Sequence, residues 1–333
     1  MGVETQSVAG VELADPALAA STEAGLERVE DLLHREVESG YRFVTETSLH
    51  LIDAGGKRFR PLFTLLSAHV GTEPESDDVV RAAAVVELVH LATLYHDDVM
   101  DSATMRRGAE SANHRWDNTV AILTGDFLFA HASRLVADLG PDAVRIIAET
   151  FAELVTGQMR ETRGPREGDD PVEHYLQVIA EKTGSLIATA GRYGGMFSGC
   201  TPEQVDSLQR FGATIGTAFQ ISDDIIDIAS PSGDSGKTPG TDLREGVHTL
   251  PMLYAMQEPG SERLRALLAR PITDDAEVAE ALDLLRAGNG IQRAKDTLAG
   301  YAEEARAELG KLPACPAVDA LGTLTGYTID RTG

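Results

Sequence analysis

Apolar residues recur every three or four positions along most of this 333-residue chain. In the first clear run Leu26, Val29, Leu32, Leu33 and Val37 lie on one face of a helix. Segments in which apolar and polar residues alternate, as in half-buried strands, are scarce. Further helices are predicted at residues 61–70, 77–101, 119–139, 141–162, 171–198, 202–229, 247–256, 275–288, 290–311 and 315–331. The sequence therefore predicts an all-α fold.

No part of the chain has the composition of an interdomain linker. Proline and glycine cluster between predicted helices, most clearly over residues 231–246, but no fixed-period repeat or low-complexity segment is present. We therefore expect a flexible N-terminal tail over residues 1–20 and a single domain over residues 21–333. In a bundle of long helices, the functional site is expected in a central cavity.

The charge balance of the chain is strongly acidic. The 53 Asp and Glu residues against 29 Lys and Arg residues give a formal net charge of -24. Such a surface repels nucleic acids, so no nucleic-acid partner is expected, and an anionic ligand must meet a local basic patch. The two cysteines, Cys200 and Cys315, are too few for a disulfide framework. No signal peptide and no uncharged apolar run of about 18 residues is present, so a cytoplasmic location without a membrane span is expected.

Two carboxylate clusters each end an apolar run. They are Asp97, Asp98 and Asp101, and Asp223, Asp224 and Asp227. The outer aspartates of each cluster are four residues apart, so one helix face carries both. Like charges at this spacing repel each other unless a cation or solvent screens them, and carboxylates without thiolates suit Mg²⁺ that also binds phosphate oxygens. One such cluster alone is usually a solvated helix end, but two copies in apolar surroundings favour a magnesium site for a diphosphate.

Basic residues are grouped near predicted helix ends. The segment GGKRFRP at 55–61 predicts a turn followed by a helix that begins near Pro61, with backbone amides and cations available to an anion. Arg106 and Arg107 follow the first aspartate cluster closely enough to reach phosphate oxygens beside a metal. Either group alone is more typical of a solvated turn.

Three further residues are weaker candidates when taken singly. Lys182 and Thr183 interrupt the predicted helix at 171–198, and Lys237 follows the second aspartate cluster. Each is individually more typical of the surface. His90 lies seven residues before the first aspartate and therefore on the same helix face, where a hydrogen-bonded core histidine is the alternative.

Taken together, these motifs resemble the trans-polyprenyl diphosphate synthase family, most strongly its bacterial long-chain members. The resemblance covers residues 25–330. In chain order its motifs are GGKRFRP at 55–61, HDDVMD at 96–101, RRG at 106–108, GD at 125–126, EKTGSL at 181–186, FQISDDIID at 219–227, Lys237 and GTDLREG at 240–246. The resemblance implies an enzyme that condenses isopentenyl diphosphate with an allylic diphosphate, head to tail and in trans geometry, to a linear polyprenyl diphosphate.

The resemblance also implies roles for individual residues. The residues that would hold three Mg²⁺ ions with the allylic diphosphate are Asp97, Asp101 and Asp223, supported by Asp98, Asp224 and Asp227. Those that would contact the allylic diphosphate are Arg106, Lys182, Thr183, Gln220 and Lys237. Those that would contact isopentenyl diphosphate are Lys57, Arg60, His90 and Arg107. Those that would act in catalysis, by stabilising charge on the departing diphosphate, are Asp97, Asp98, Asp101, Arg106, Lys182, Asp223 and Lys237.

Two small residues precede the first aspartate cluster. Thr93 lies one helical turn before Asp97, with Ala92 beside it, whereas short-chain relatives carry bulky aromatics there that close the product tunnel. The small residues therefore predict products longer than fifteen carbons. Phe129 and Phe151 are candidates for a deeper tunnel floor, although each is more typical of an ordinary core aromatic.

One departure from the family pattern follows the GTDLREG motif. Many relatives carry a lysine at the next position, where this chain has Val247 followed by His248. A neutral imidazole is a weaker partner for phosphate than an ammonium group. A phosphate-side cation is therefore missing or replaced.

Three other functions stay open from the residues alone. The pair His96-Asp97 is typical of helical metal-dependent phosphohydrolases, but that interpretation leaves the second aspartate cluster and GGKRFRP unexplained. Class I terpene cyclases share the aspartate-rich helix, yet their second metal motif normally contains Asn and Ser or Thr. A non-catalytic subunit of a heteromeric synthase is disfavoured because both aspartate clusters are retained. By the resemblance, a homodimer is expected.

Overall fold

The structure is a computed structural model that describes residues 6–229 and 239–330. The first eight helices are α1 Pro16–Val37, α2 Arg42–Asp53, α3 Phe59–Ala68, α4 Asp77–Met100, α5 Ala112–Arg115, α6 Asn118–Ala137, α7 Pro141–Arg163 and α8 Pro171–Ile179. The other helices of the described residues are α9 Ser185–Phe197, α10 Pro202–Ala229, α11 Thr241–Glu245, α12 Leu250–Met256, α13 Glu262–Leu268, α14 Asp275–Ala287, α15 Gly290–Leu309 and α16 Pro316–Asp330. A π turn, Ala180–Gly184, joins α8 to α9. The predicted all-α class is confirmed.

The strands in the described part of the chain form two short antiparallel hairpins. β1 Gln6–Val8 pairs with β2 Val11–Leu13, and β3 Met105–Arg106 pairs with β4 Ala109–Glu110. The second hairpin follows α4 directly and carries Arg106. It therefore fixes one of the predicted site residues relative to the end of that helix.

The described part of the predicted flexible tail over residues 1–20 contains the first hairpin and the start of α1. Leu13 is 1% exposed in the first hairpin. Asp15 caps α1, because its Oδ1 accepts a hydrogen bond from the Leu18 amide at 2.8 Å. Pro16 occupies the first turn of the helix, where its missing N–H leaves no bond unmade. Asp15 and Pro16 therefore start α1 at residue 16, although the apolar period of the residues that follow is weak.

The chain divides into two compact units, and the boundaries fall inside helices. The first unit comprises Met1–Ala152, Leu186–Gly212 and Glu308–Thr323. Its central element is α4, on which residues 82–89 are buried all around the helix, and α1, α3 and α6 pack against it. Glu87 is the single charged residue in that buried span.

The second unit comprises Glu153–Ser185, Ala213–Ala307 and Leu324–Gly333. Its core is a cluster of buried side chains that includes Ile228 from the end of α10, Leu243 from α11 and Met252 from α12. Leucines of α13 and α14 complete it. This packing anchors the helix that carries the second aspartate cluster.

Two of the described helices, α4 and α6, are long and apolar enough to cross a membrane. The most apolar window of α4 is 72% buried inside the protein, which is typical of a core helix. That of α6 is 39% buried, and Ile122 and Leu123 lie exposed on it. Length and composition of this kind give only weak support for a membrane span.

Candidate active site

The basic turn before α3 depends on unusual backbone angles. Gly55 and Gly56 have φ values of 82° and 135°, and Arg58 has a φ of 45°. A Cβ atom on Gly56 would lie 2.9 Å from Cζ of Arg107. Glycine at this position therefore lets the guanidinium group of Arg107 lie directly against the turn. Lys57 lies exposed on the same turn.

Arg58 is an ion-paired residue inside the first unit. Its side chain is only 9% exposed and donates to Glu87 at 3.1 Å, to Glu30 at 3.1 Å through Nη2, and to Glu30 again through Nε. It also donates to the carbonyl of Ile52 at 2.8 Å. Its charge is thus balanced by two carboxylates.

Arg107 is held mainly by backbone carbonyls. Its Nη1 donates to the carbonyls of Leu51 at 3.0 Å and Gly55 at 2.6 Å, and its Nη2 lies 3.5 Å from Oε1 of Glu87. Glu87 is 1% exposed and therefore serves as a buried counter-ion for two arginines. The sequence motifs do not predict this role. The signal for it is an acid within a buried apolar run beside a basic turn.

Arg60 and His90 lie in an environment with too little negative charge. Nε of Arg60 is buried and has no hydrogen-bond partner among the described residues. Burial lowers the pKa of Arg60 to about 10, which Glu87 opposes and Arg107 reinforces. Burial, followed by the positive charges of Arg60 and Arg107, lowers the pKa of His90 well below its ordinary value. Buried cations with a missing partner fit an anion such as a diphosphate.

The first aspartate cluster lies at the C-terminal end of α4. Asp97 and Asp98 belong to its last turn, and Asp101 is the residue that caps it. Asp98 is fully buried, and its Oδ1 accepts a hydrogen bond from Nε of Arg106 at 2.6 Å. Burial raises the pKa of Asp98, which Arg106 opposes and Asp101 reinforces. Because a helix C-terminus is itself negative, this arrangement favours a cation.

The second aspartate cluster lies near the end of α10, in the second unit. Asp224 is buried and accepts hydrogen bonds from the hydroxyl of Tyr175 and, at 2.9 Å, from Nε2 of Gln220. Burial raises the pKa of Asp224 to about 7, and the charge of Asp242 adds to this effect. Asp223 is half-buried on the same helix. Gln220, a predicted allylic-site residue, therefore lies directly beside this cluster.

Asp227 has a structural contact in addition to its predicted supporting role. Its carboxylate accepts hydrogen bonds from the amides of Thr241 at 3.2 Å and Asp242 at 3.3 Å, at the start of α11. A carboxylate at this position satisfies amides that the helix leaves unpaired. Asp227 thereby ties α11 to α10.

Lys182 and Thr183 lie in the π turn that breaks the predicted helix at 171–198. Nζ of Lys182 is 2.5 Å from Oε2 of Glu161. A Cβ atom on Gly157 would lie 2.7 Å from the amide nitrogen of Lys182, so α7 approaches the turn closely because of this glycine. Such π turns inside helices are frequent at functional sites, because the extra residue redirects the side chains of the turn.

The carboxylates suit a hard divalent cation, although no preformed set is present. Among residues 6–229 and 239–330, no three His, Cys, Asp or Glu side chains are already arranged as metal ligands. Oδ2 of Asp98 is buried without a hydrogen-bond partner in this part of the chain, and a cation is the natural partner for such an atom. All-oxygen ligands are those that Mg²⁺ and Ca²⁺ prefer. The residues present therefore fit the predicted metal.

The other residues singled out from the sequence are the loop lysine, the histidine after GTDLREG and the two small residues before the first aspartate cluster. Lys237 lies outside the described residues. Nε2 of His248 donates to the carbonyl of Leu268 at 2.8 Å, so it is occupied by the backbone. Ala92 is buried, and the hydroxyl of Thr93 donates to the carbonyl of His90 at 2.7 Å.

Phe129 and Phe151, the candidates for a tunnel floor, contact each other. Their ring centroids are 4.2 Å apart and both rings are half-buried. This geometry is typical of an aromatic pair in a core. It is equally compatible with a floor, so their role in setting product length stays a prediction.

The Polyprenyl synthetase family model matches residues 42–285 of the chain. A nonaprenyl diphosphate synthase of Mycobacterium tuberculosis is 62% identical over 328 residues, which are 98% of this chain and 98% of the relative. A geranylgeranyl pyrophosphate synthase of Corynebacterium glutamicum, solved in complex with calcium and isoprenyl diphosphate, has a TM-score of 0.87 at 52% identity and covers 97% of this chain and 100% of its own. A decaprenyl diphosphate synthase of Rhodobacter capsulatus has a TM-score of 0.86 at 32% identity, covering 95% and 99%. The predicted trans-polyprenyl diphosphate synthase is thereby confirmed, and the chain belongs to the polyprenyl synthetase family.

Proposed function

We propose that the protein condenses isopentenyl diphosphate with an allylic diphosphate, head to tail and in trans geometry, to a linear polyprenyl diphosphate longer than fifteen carbons. The observation that carries this proposal is the distribution of charge around α4. Arg58 and Arg107 contact Glu87 in the buried span of this helix, and the buried Nε of Arg60 has no hydrogen-bond partner in the described chain. Carboxylates gather at the C-terminal end of the helix. The full-length likeness to a nonaprenyl diphosphate synthase supports the long product.

Isopentenyl diphosphate is proposed to bind through basic side chains rather than through metal. The residues assigned to it are Lys57, Arg60, His90 and Arg107. Arg60 supports this assignment, because its buried Nε has no hydrogen-bond partner in the described chain and a phosphate oxygen would supply one. The lowered pKa of His90 keeps its imidazole neutral, so it can donate one hydrogen bond without adding to the charge of the cluster.

The allylic diphosphate is proposed to bind through both metal and cations. The proposed Mg²⁺ ligands are Asp97, Asp101 and Asp223, supported by Asp98, Asp224 and Asp227, and three ions are expected. When bound, Mg²⁺ would supply positive charge that stabilises the departing diphosphate. The chain's own groups for this diphosphate are Arg106, Lys182, Thr183, Gln220 and Lys237, which orient it and stabilise the charge that develops on it.

Arg106 and Lys182 each form an ion pair with a carboxylate in the substrate-free protein. Arg106 pairs with Asp98 at 2.6 Å and Lys182 with Glu161 at 2.5 Å. These carboxylates hold the long side chains in place before substrate arrives, which lowers the entropy cost of ordering them. Both side chains stay partly exposed, so a second anion can reach them.

We further propose that the protein is cytoplasmic and forms a homodimer. The exposed pair Ile122 and Leu123 on α6 supports an apolar partner surface, because contiguous apolar residues at a surface mark contact sites. Analytical ultracentrifugation should give twice the 35.5 kDa chain mass. A monomer at micromolar concentration would contradict this assembly.

The function is tested by incubating purified protein with Mg²⁺, labelled isopentenyl diphosphate and a panel of allylic diphosphates. Linear prenols longer than fifteen carbons are expected after dephosphorylation, and chelation of the metal should stop their formation. Asp101→Asn and Asp223→Asn should abolish elongation, whereas Asp138→Asn, at the exposed end of α6, should not. Cyclic hydrocarbons, phosphate release alone, or turnover only with a second subunit would instead favour a cyclase, a hydrolase or a regulatory subunit.

A further inference from the structure

Tyr95 is a fully buried tyrosine of α4 whose hydroxyl contacts the backbone of a different helix. The hydroxyl donates to the carbonyl of Thr47 at 2.5 Å and accepts from the amide of Leu51 at 3.2 Å. These two backbone groups of α2 are four residues apart, the pair that bond to each other in a regular α-helix. The tyrosine hydroxyl thus lies against one hydrogen-bonded step of α2.

That step adjoins the carbonyls that hold two arginines of the basic cluster, which comprises Arg58, Arg60 and Arg107. Leu51 uses its amide for Tyr95 and its carbonyl for Arg107 at 3.0 Å. One residue further on, the carbonyl of Ile52 accepts from Arg58 at 2.8 Å. The backbone of Leu51 therefore connects the Tyr95 hydroxyl directly to the guanidinium group of Arg107.

The hydroxyl of Tyr95 is more than a by-product of core packing. A phenylalanine would fill the same buried volume and would leave no polar atom to satisfy. The ring alone would account for the burial, whereas the hydroxyl is accounted for by its bonds to α2. Its effect on the site can therefore be separated from the packing of the ring.

We propose that Tyr95 is a positioning residue for isopentenyl diphosphate: its hydroxyl sets the end of α2, and through Leu51 it places Arg107. The proposal rests on the function proposed above. Without the hydroxyl, the end of α2 loses its tie to α4, and the carbonyl that holds Arg107 shifts with it. Isopentenyl diphosphate binding should weaken, whereas allylic diphosphate binding should not.

The test compares Tyr95→Phe with Tyr193→Phe. Tyr193 is equally buried in the first unit, and its hydroxyl donates to the carbonyl of Ala143 at 2.7 Å, so its variant also loses a buried hydrogen bond to a helix carbonyl. In Tyr95→Phe, the KM and the calorimetric Kd for isopentenyl diphosphate should rise about three- to tenfold, which corresponds to the net contribution of a typical buried hydrogen bond. The KM for the allylic diphosphate should stay within about twofold. Tyr193→Phe should lower the melting temperature comparably while changing neither KM.

A double-mutant cycle with Arg107→Lys tests the route of the effect. If Tyr95 acts through Arg107, the rise in Kd of the double variant should be smaller than the product of the two single rises. A multiplicative result, an unchanged Kd in Tyr95→Phe, or equal changes in both KM values would overturn the inference. Wild-type protein that binds isopentenyl diphosphate without elongating it would overturn the proposed function alone, and absence of binding would overturn both.

Discussion

Replacing Glu87 by glutamine removes the buried negative charge on which the basic cluster depends. Its carboxylate lies 3.1 Å from Arg58 and 3.5 Å from Arg107, and its side chain is 2% exposed. Glutamine has nearly the same shape and keeps one acceptor oxygen. Arg58 retains Glu30 as a counter-ion, but Arg107 is left with backbone carbonyls only. The free protein should therefore be destabilised by uncompensated positive charge.

The expected loss can be bounded from the geometry. Removing one partner of a buried ion pair costs about 3–5 kcal/mol. Because the amide oxygen keeps a hydrogen bond and Glu30 keeps half of the pairing of Arg58, we expect about 2–3 kcal/mol for Glu87→Gln. For a chain of this size, whose unfolding entropy is about 2.1 cal/mol/K per residue, that corresponds to a fall in melting temperature of about 3–4 °C.

A bound diphosphate should restore most of this loss, because it brings negative charge to the same arginines. A ligand that binds the folded variant more tightly stabilises it more at equal concentration. Thermal unfolding of wild type and Glu87→Gln, each with and without inorganic diphosphate and isopentenyl diphosphate, measures this directly. The difference in melting temperature between the two proteins should shrink by at least half when either ligand is added. This prediction separates a charge effect from a packing defect, which no anion would repair.

Glu308→Gln is the matched control for this experiment. Glu308 also accepts from two cations, Arg210 at 3.0 Å and Lys311 at 2.7 Å, but both partners are more than half exposed. Exposed pairs contribute little, so its variant should lose at most about 1 kcal/mol and should show no selective rescue by diphosphate. If the difference in melting temperature between wild type and Glu87→Gln persists at saturating ligand, the assignment of the basic cluster as an anion site is refuted.

Three further predictions concern pH, product length and the glycine turn. Burial raises the pKa of Asp224 from 3.8 to about 7, so the protonated carboxyl stabilises the folded protein fully below pH 3.8, and this stabilisation is lost as the pH rises through 7. Without metal, Asp224→Asn should therefore unfold at a higher temperature than wild type near pH 8. Near pH 5 this difference in melting temperature should disappear. Ala92→Phe and Thr93→Phe should shorten the products sized by chromatography, because an aromatic ring there would close the product tunnel. Products of unchanged length would contradict the prediction that the tunnel passes these two residues. Gly56→Ala should raise the KM for isopentenyl diphosphate, because φ is 135° and the adjacent guanidinium lies 2.9 Å from the new Cβ, whereas Gly300→Ala, with open space around it, should not.

The long helices could be predicted because helix-favouring composition and apolar period are local properties of the sequence. The prediction at 77–101 agrees closely with α4, and that at 202–229 agrees with α10. α2 was not predicted, because it is short and two of the side chains that it buries, Thr47 and Ser48, are polar, so their burial depends on tertiary packing. The π turn also escaped prediction in detail, since the extra residue depends on how closely α7 approaches it.

The aspartate clusters could be predicted as groups because four-residue spacing alone places the acids on one helix face. Their separate contacts could not. Asp227 bonds to amides of α11, and Asp224 bonds to Tyr175, a partner 49 residues away in the chain. Sequence spacing carries no information about partners at such a distance. The difference between acids with identical spacing therefore emerges only from the fold.

The two arginines of GGKRFRP show the same limit for basic residues. Arg58 and Arg60 are two positions apart, and nothing in the motif distinguishes their roles. Buried carboxylates make the distinction: Glu30 and Glu87 neutralise Arg58, whereas Nε of Arg60 lacks a hydrogen-bond partner in the described chain and burial lowers its pKa to about 10. A basic motif thus predicts how many cationic side chains lie near a site, but it does not predict which of them bind the ligand. The acids that the fold places beside them determine which cations stay available to a diphosphate, and for this chain those acids come from α1 and the interior of α4.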